Sequence, residues 1–406
     1  MRPKPDSVPV EPVAWEDRRW EPNWSAPVSR RQREQAGTAY RSAIMPKIAG
    51  LDVSIPTGLM VDLEEATAEI ARLDTYLAAK FPEDELAPMQ TVLLRTESAS
   101  SSQLENISVG ARQLAIAELG QMASRNAMLV ASNVAAMRSA LELAKDISTA
   151  TILKMHHTLM GQQLPDAGNW RQGQVWIGPG GSIPPTVSYV PPRQELVPAA
   201  MNDLAEFISR QDIPALAHAA IAHAQFENIH PFSDGNGRTG RALLHAIWRN
   251  KGVSRTAIVP VSSGLLVDTA GYFAALGSYR EGDAGPIITM VAQGAMAAVG
   301  QGRALAGSLH ELLLDWEARL RTRSGSAASR ALSVILGQPA VNISILQDRL
   351  GVSQPTALAA VNALVAADIL RPTSDKQRNR VWVAEEAIAV MDSFATSLGR
   401  RNGLSL

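Results

Sequence analysis

Twelve consecutive residues, His230 to Arg241 (HPFSDGNGRTGR), set an imidazole, a carboxylate, three glycines and two guanidiniums within reach of one another. Gly235, Gly237 and Gly240 have GxGxxG spacing, which often wraps a dinucleotide pyrophosphate. That use requires a strand before the loop and an acidic residue about 20 residues after it. Here the loop follows PALAHAAIAHAQFENI, an Ala-rich stretch with helical periodicity, and WRNKGVSRTAIVP downstream carries no acid. The other phosphate loop, GxxxxGK[ST], is excluded because the chain contains no Gly-Lys pair.

Phosphate chemistry still fits the residues. The loop opens a helix, GRTGRALLHAIW, so glycine-freed backbone amides and the helix N-terminus can converge on an anion. Arg238 and Arg241 are three apart on one helical face and can reach the same polyphosphate. Asp234 would repel phosphate on its own; it makes sense as a ligand for Mg²⁺ shared with phosphate oxygens. His230, stiffened by Pro231, suits a general base, and Phe232 suits an anchor in the core. The plainer reading is a tight turn with a structural histidine, but that many reactive groups in twelve residues favour a site.

The elements that must position this loop are helical. Spacings of three and four predict helices over 60–80, 112–146, a Ser-started run to Met160, about 194–229, 238–250 and 286–321. A Gly/Pro turn between Val175–Ile177 and Val187–Val190 predicts a short β-hairpin. Residues 1–38, rich in Pro and Arg, read as an irregular arm, and RTRSGSAASR at 321–330 as a linker. The 406-residue chain has a net charge of −1, so no global field draws it to nucleic acid or membrane. It has no cysteine, which removes disulfides and thiolate metal sites. With no secretory signal and no run of ~20 apolar residues, a cytoplasmic protein with no membrane partner is expected.

At HPFSDGNGRTGR the sequence resembles the Fic family, whose motif reads HPFx[D/E]GNGRxxR. The similarity extends upstream through AHAQFENI, HHTLM and GNWRQGQVWIG, covering roughly residues 90–290. The resemblance implies a protein adenylyltransferase that moves AMP from ATP to a Ser, Thr or Tyr hydroxyl of a protein, itself included. His230 would deprotonate the hydroxyl, and Asp234 would hold Mg²⁺. Gly235, Asn236 and Gly237, followed by Arg238, Thr239, Gly240 and Arg241, would bind the phosphates. QVWIGPGG is similar to the family's flap, so Val175, Trp176, Ile177 and Gly178 would hold the target by strand pairing and cover the adenosine. AGYFAALGSYREGD resembles the segment bordering the base, with Tyr272 and Phe273 near it and core packing as their other reading; Arg280 departs from the family's frequent Asn.

SSSQLEN at 100–106 resembles an inhibitory motif, [S/T]xxxE[G/N], carried by Ser101, Glu105 and Asn106. Glu105 would pair with Arg241, displace the γ-phosphate's counter-charge and leave the α-phosphorus misplaced. Read without the resemblance, it is a solvent-facing Glu on a Ser-capped helix. His223 and Glu227 could face one metal but read better as polar support for the His230 loop, and His156 and His157 as packed.

The C-terminal 65 residues resemble a winged helix: a helix Ile343–Leu350, a turn at Gly351, a second helix from Ser353 to about Ala366, then strands at 369–371 and 381–383 around Lys376, Arg378 and Arg380. The second helix offers Gln354, Thr356 and Asn362 as base readers, so DNA and a docking protein are both open partners.

These readings give a mainly α chain: a Fic helical core with a β-hairpin flap, plus a small α+β winged-helix domain. The expected domains are the arm at 1–38, a helical region at 39–145 carrying the inhibitory motif, the catalytic core at 146–300, a helix and linker at 301–330, and the winged helix at 331–395. The alternatives are transfer or removal of another phosphate-linked group, and a transcription regulator that senses nucleotide. A homo-oligomer is left open.

Overall fold

The computed structural model describes residues 6–22, 29–178, 188–254, 257–323, 325–374 and 380–401, with side chains at all of these except 31, 32, 83, 84 and 396–401. The chain is mainly α and divides into two compact units. Met1–Glu64, Ser139–Lys251 and Ala270–Val291 form the first; Glu65–Arg138, Gly252–Thr269 and Ala292–Leu406 form the second.

The first unit contains β1 (Ala14–Arg19), α1 (Arg30–Gln35), β2 (Ala39–Ile44), the start of α2 (Thr57–Lys80), the end of α5 (Arg125–Glu142), α6 (Thr149–Met160), α7 (Val197–Ser209), α8 (Ala215–Ile229), α9 (Asn236–Asn250), α11 (Thr269–Arg280) and the start of α12 (Gly285–Arg319). Its centre is α8 packed against α7 and α9. Alanines at 217, 219, 220, 222 and 224 are all buried, so α8 lies inside on every face and neighbouring helices can approach closely. Ser148 starts α6 with a reciprocal capping box to Thr151, as the sequence indicates.

The segment expected as an irregular arm is ordered in part. β1 pairs antiparallel with β2 from Ala14↔Ile44 to Arg19↔Ala39. Before it, Val8, Val10 and Val13 are buried, and the amides of Val10 and Val13 donate to the carbonyls of Gly282 and Arg280. Pro9 and Pro12 fall between these valines, where no amide donor is needed. Ala43 then donates to the Val190 carbonyl at 3.1 Å, which seats β2 beside the base of the flap.

The second unit contains the remainder of α2, α5 and α12 with α3 (Glu83–Gln103), α4 (Ala111–Glu118), α10 (Val261–Leu265), α13 (Ala327–Gly337), β3 (Ala340–Val341), α14 (Ile343–Leu350), α15 (Gln354–Ala366), β4 (Arg371–Pro372), β5 (Trp382–Val383) and α16 (Glu385–Arg401). The helical run expected over 112–146 is two helices, broken after Glu118, where Gly120 takes a φ of +69°. Helices run across the expected limits at 300/301 and 330/331. α12 runs unbroken from Gly285 to Arg319, and C-terminal residues share one apolar cluster with α4: Ala115, Ala340, Val381, Val383 and Ile388. Strands β3, β5 and β4 form a small antiparallel sheet in that order. β3 was not anticipated, and β4 begins at Arg371 rather than Ile369. The turn residues Lys376 and Arg378 lie outside the described residues. No described helix is long and apolar enough to cross a membrane.

Candidate active site

α8 ends at Ile229, and His230 caps it in the left-handed region (φ 51°, ψ 62°), an unusual conformation for a side chain with a Cβ. Strain of this kind persists only where the surroundings over-determine it. They do so here from four sides.

Arg171 is the first. It is 2% exposed, and its Nε donates to the His230 carbonyl at 2.8 Å. Its backbone amide donates to the Pro231 carbonyl, Nη1 donates to Gly173, and Nη2 donates to Pro192. One guanidinium therefore joins the loop to both sides of the flap base. Burial pulls its pKa down to about 10, still cationic at neutral pH. Arg171 lies within GNWRQGQVWIG, where a lone Arg beside Trp170 carries no local signal of this role.

His156 is the second. Its ring stacks on Phe232 at 3.7 Å, only 7° from parallel, and Phe232 is fully buried. The Gly168 amide donates to His156 Nδ1 at 2.9 Å, so Nε2 carries the proton and donates to the Asp234 carbonyl at 3.0 Å. Burial pushes this imidazole down to about 4, which keeps it neutral in that role. Packing was the expected role for His156; positioning the loop is added to it.

The third is Asn236, whose side-chain oxygen accepts from the Phe232 amide and whose Nδ2 donates to the Phe232 carbonyl, both at 2.9 Å. The last is a pair of glycines. Gly235 takes φ +75° to turn into α9, and a Cβ there would lie 3.0 Å from Met160. Gly240 serves packing instead: a Cβ would meet Glu227 Oε1 at 2.7 Å and Phe226 at 2.9 Å. The GxGxxG spacing thus arises from a turn and a helix contact, without a strand before it.

In the resulting geometry His230 Nδ1 lies 3.3 Å from the Glu227 carbonyl and can donate to it, leaving Nε2 as the acceptor. The half-buried ring is pushed down to about 4 by burial, assisted by the Arg171 cation, so it is unprotonated at neutral pH. Asp234 is exposed in the loop beside Ser233, with a side chain 64% accessible. Its Oδ1 accepts from the Gly235 amide at 2.6 Å and lies 3.9 Å from Arg238 Nη2, so one of the three expected anion-binding amides is engaged by Asp234 here. Arg238 and Arg241 are each 2% exposed. A phosphate meeting them would do so away from bulk water, where a guanidinium acts more strongly. Among the described residues no group of three or more His, Cys, Asp or Glu could hold a metal. A single exposed carboxylate does fit Mg²⁺ that arrives with, and is mostly ligated by, polyphosphate and water.

The flap residues Val175, Trp176 and Ile177 are half-buried and Gly178 is exposed. Ile177 and Tyr189 exchange both backbone hydrogen bonds at 3.0 Å. Gly178 has φ +125°, and a Cβ there would lie 2.6 Å from the Ser188 amide. Val187 and the turn 179–187 lie outside the described residues. Trp176 meets Tyr40 of β2 edge-on at 5.2 Å. Phe273 is 54% exposed, whereas Tyr272 is buried with its hydroxyl 2.8 Å from His223 Nε2. Arg280 donates to Asn228 at 2.9 Å and lies over the Tyr189 ring at 4.6 Å, so it is built into the wall. His223 and Glu227 are 3.9 Å apart, and Glu227 lies against Gly240 of α9.

Ser101, Glu105 and Asn106, expected as an inhibitory motif, belong to the second unit. Ser101 is buried in the last turn of α3, so it is no N-cap. α3 ends at Gln103, and Glu105 stands in the closing turn, half-buried, with its amide donating to Ser102 at 3.0 Å. Asn106 follows with φ +60°.

Residues 146–248 match the Fic/DOC family. The chain is 32% identical over 158 residues to protein adenylyltransferase fic-1 of Caenorhabditis elegans, covering 38% of this chain and 28% of that protein. It is 30% identical to protein adenylyltransferase Fic of Nematostella vectensis, covering 38% and 33%. The crystal structure of a Fic family protein from Desulfovibrio desulfuricans G20 superposes with a TM-score of 0.52 at 24% identity, over 84% of this chain and 98% of that one, which speaks to the fold alone. The chain thus spans about a third or less of the curated relatives it matches.

Proposed function

With a Fic domain at residues 146–248 as premise, we propose that the chain transfers AMP from ATP to a Ser, Thr or Tyr hydroxyl of a protein, with pyrophosphate as the leaving group. The observation that carries this reading is the His230 loop: an unprotonated imidazole whose Nε2 is left as acceptor, followed at once by a helix N-terminus and two buried guanidiniums. The hydroxyl proton passes to Nε2 as its oxygen bonds to the α-phosphorus and the bond to pyrophosphate breaks. The amides at the start of α9 lie where an anion is favoured, and Arg238 and Arg241 offset charge on the departing pyrophosphate. Asp234 would hold Mg²⁺, which supplies charge neutralisation across the phosphates when bound. The edge of the flap at Val175–Gly178 would pair with an extended target segment, a contact made by main chain and tolerant of target sequence.

Incubation with α-labelled ATP and a cell lysate tests the reading. Labelled protein is expected, together with a mass gain of one AMP on the chain itself, both lost in His230→Ala. Labelling undiminished in that variant, or absent even from Glu105→Gly, would sink the assignment.

The same reading gives Glu105 an inhibitory role through Arg241. Its support is the motif SSSQLEN and the fixed turn that holds Glu105 at the end of α3. For the C-terminal part, helix, strand, two helices and two strands follow one another in winged-helix order. On α15 the exposed Gln354, Thr356 and Asn362 are interspersed with Leu358 and Val365, 45% and 38% exposed. That surface favours a protein partner over DNA, because apolar side chains read little of a base edge.

A further inference from the structure

The second unit contains a cavity of about 210 Å³ whose lining includes Thr91 and Arg95 from α3, Glu118 from α4, Arg138 from α5, Gln338 after α13 and Arg349 from α14. One ordered water needs roughly 15 Å³, so the space admits a small molecule. The lining has three arginines against one glutamate, a surplus of two positive charges.

These arginines differ in kind. Arg95 is 6% exposed and committed: Nε donates to Glu118 at 2.5 Å, and its two Nη groups donate to the Gly337 carbonyl and the Gln338 side chain. It forms the floor. Arg138 and Arg349 are exposed, and among the described residues neither has a hydrogen-bond or ion-pair partner. Two unpaired cations held at one concavity by separate helices repel each other, and an anion between them removes that cost. A carboxylate has only two oxygens, which two guanidinium forks would have to share. A phosphate group has enough oxygens to accept a fork from each of two arginines at once.

We propose that this cavity binds a small phosphate-bearing anion, clamped between Arg138 and Arg349 above the Arg95–Glu118 pair. Bound there, it ties α5 to α14 across α3. The site is independent of AMP transfer, since none of its residues belongs to the His230 loop.

Calorimetric titration at constant ionic strength tests it. Inorganic phosphate and AMP serve as probes, in an Arg241→Ala background that weakens anion binding at the loop. Binding is expected in this background and about tenfold weaker once Arg138→Gln and Arg349→Gln are added. Equal affinities for the two probes mark free phosphate as the natural source; tighter AMP marks a nucleotide. Both changed residues are exposed, so the variant should fold, and equal unfolding midpoints in phosphate-free buffer check this. If the pair does unfold, each single variant carries the test, with a loss of about threefold expected. No phosphate binding in the Arg241→Ala background, or the same affinity with both glutamines present, overturns the proposal.

Discussion

At the scale of residues, the site rests on side chains that are easy to see and others that are not. His230, Asp234, the glycines and the two arginines are close in sequence, so their chemistry is legible there. Arg171 and His156 act from 59 and 78 positions away, through the carbonyls of His230 and Asp234. A side chain that binds backbone leaves no pattern in its target's sequence, so these roles could not be read ahead. Arg171→Lys should keep the charge but lose the three-way donor fork, since an ammonium cannot span the same carbonyls. AMP transfer is expected to fall about a hundredfold in kcat with little change in KM for ATP, because misplacement by an ångström has that effect. Single-turnover kinetics check it, and unchanged kcat would reduce Arg171 to packing. Asp234→Ala should raise the magnesium requirement of the reaction, because no other carboxylate lies in the loop; a titration curve matching wild type would remove Asp234 as the ligand. For His230, the lowered pKa predicts kcat/KM that stays flat through pH 6.5, where an ordinary histidine would lose its base form, and declines only toward about 4. A pH–rate profile bending near 6.5 would contradict it.

At the scale of elements, α8 and α9 were legible because one is alanine-rich and the other follows the motif with a clear apolar side. The arm reads as irregular because its six prolines and many arginines mask any pattern, whereas Val8, Val10, Val13 and Trp20 are buried. Only pairing with residues 39–44, 20 to 30 positions away, makes it a strand. The break between α4 and α5 was missed because Ala and Leu continue on both sides of Gly120, and a left-handed residue ends a helix whatever the neighbouring propensities. Glu105 belongs to this scale too, since its place is set by how α3 ends. Glu105→Gly is expected to raise self-modification by at least tenfold, and Arg241→Ala in the same background to abolish the gain, if the two compete for one fork. Gly loosens the turn, so Glu105→Ala is measured beside it. Equal rates in wild type and Glu105→Gly would leave SSSQLEN as a helix terminus only.

At the scale of the molecule, the first unit buries several histidines in neutral form. His156, His218 and His230 are pushed down to about 4 and His223 to about 3, each chiefly by burial. The unfolded chain takes up protons near 6.5, the folded unit only near 4, so unfolding binds protons. Stability is therefore intact above about 6.5 and falls as pH drops through 6 and 5. Thermal melts across this range should show the midpoint decreasing steadily with acid; a flat midpoint down to pH 4.5 would contradict the burial. Heating has one further result that follows from Asn236. An Asn followed by Gly is prone to spontaneous ring closure and loss of its amide nitrogen, because the next backbone nitrogen can reach the side-chain carbon. In the folded loop that side chain is clasped by both polar groups of Phe232. Folding thus acts as a preservative for the motif, and each excursion to the unfolded state puts it at risk of permanent chemical ageing.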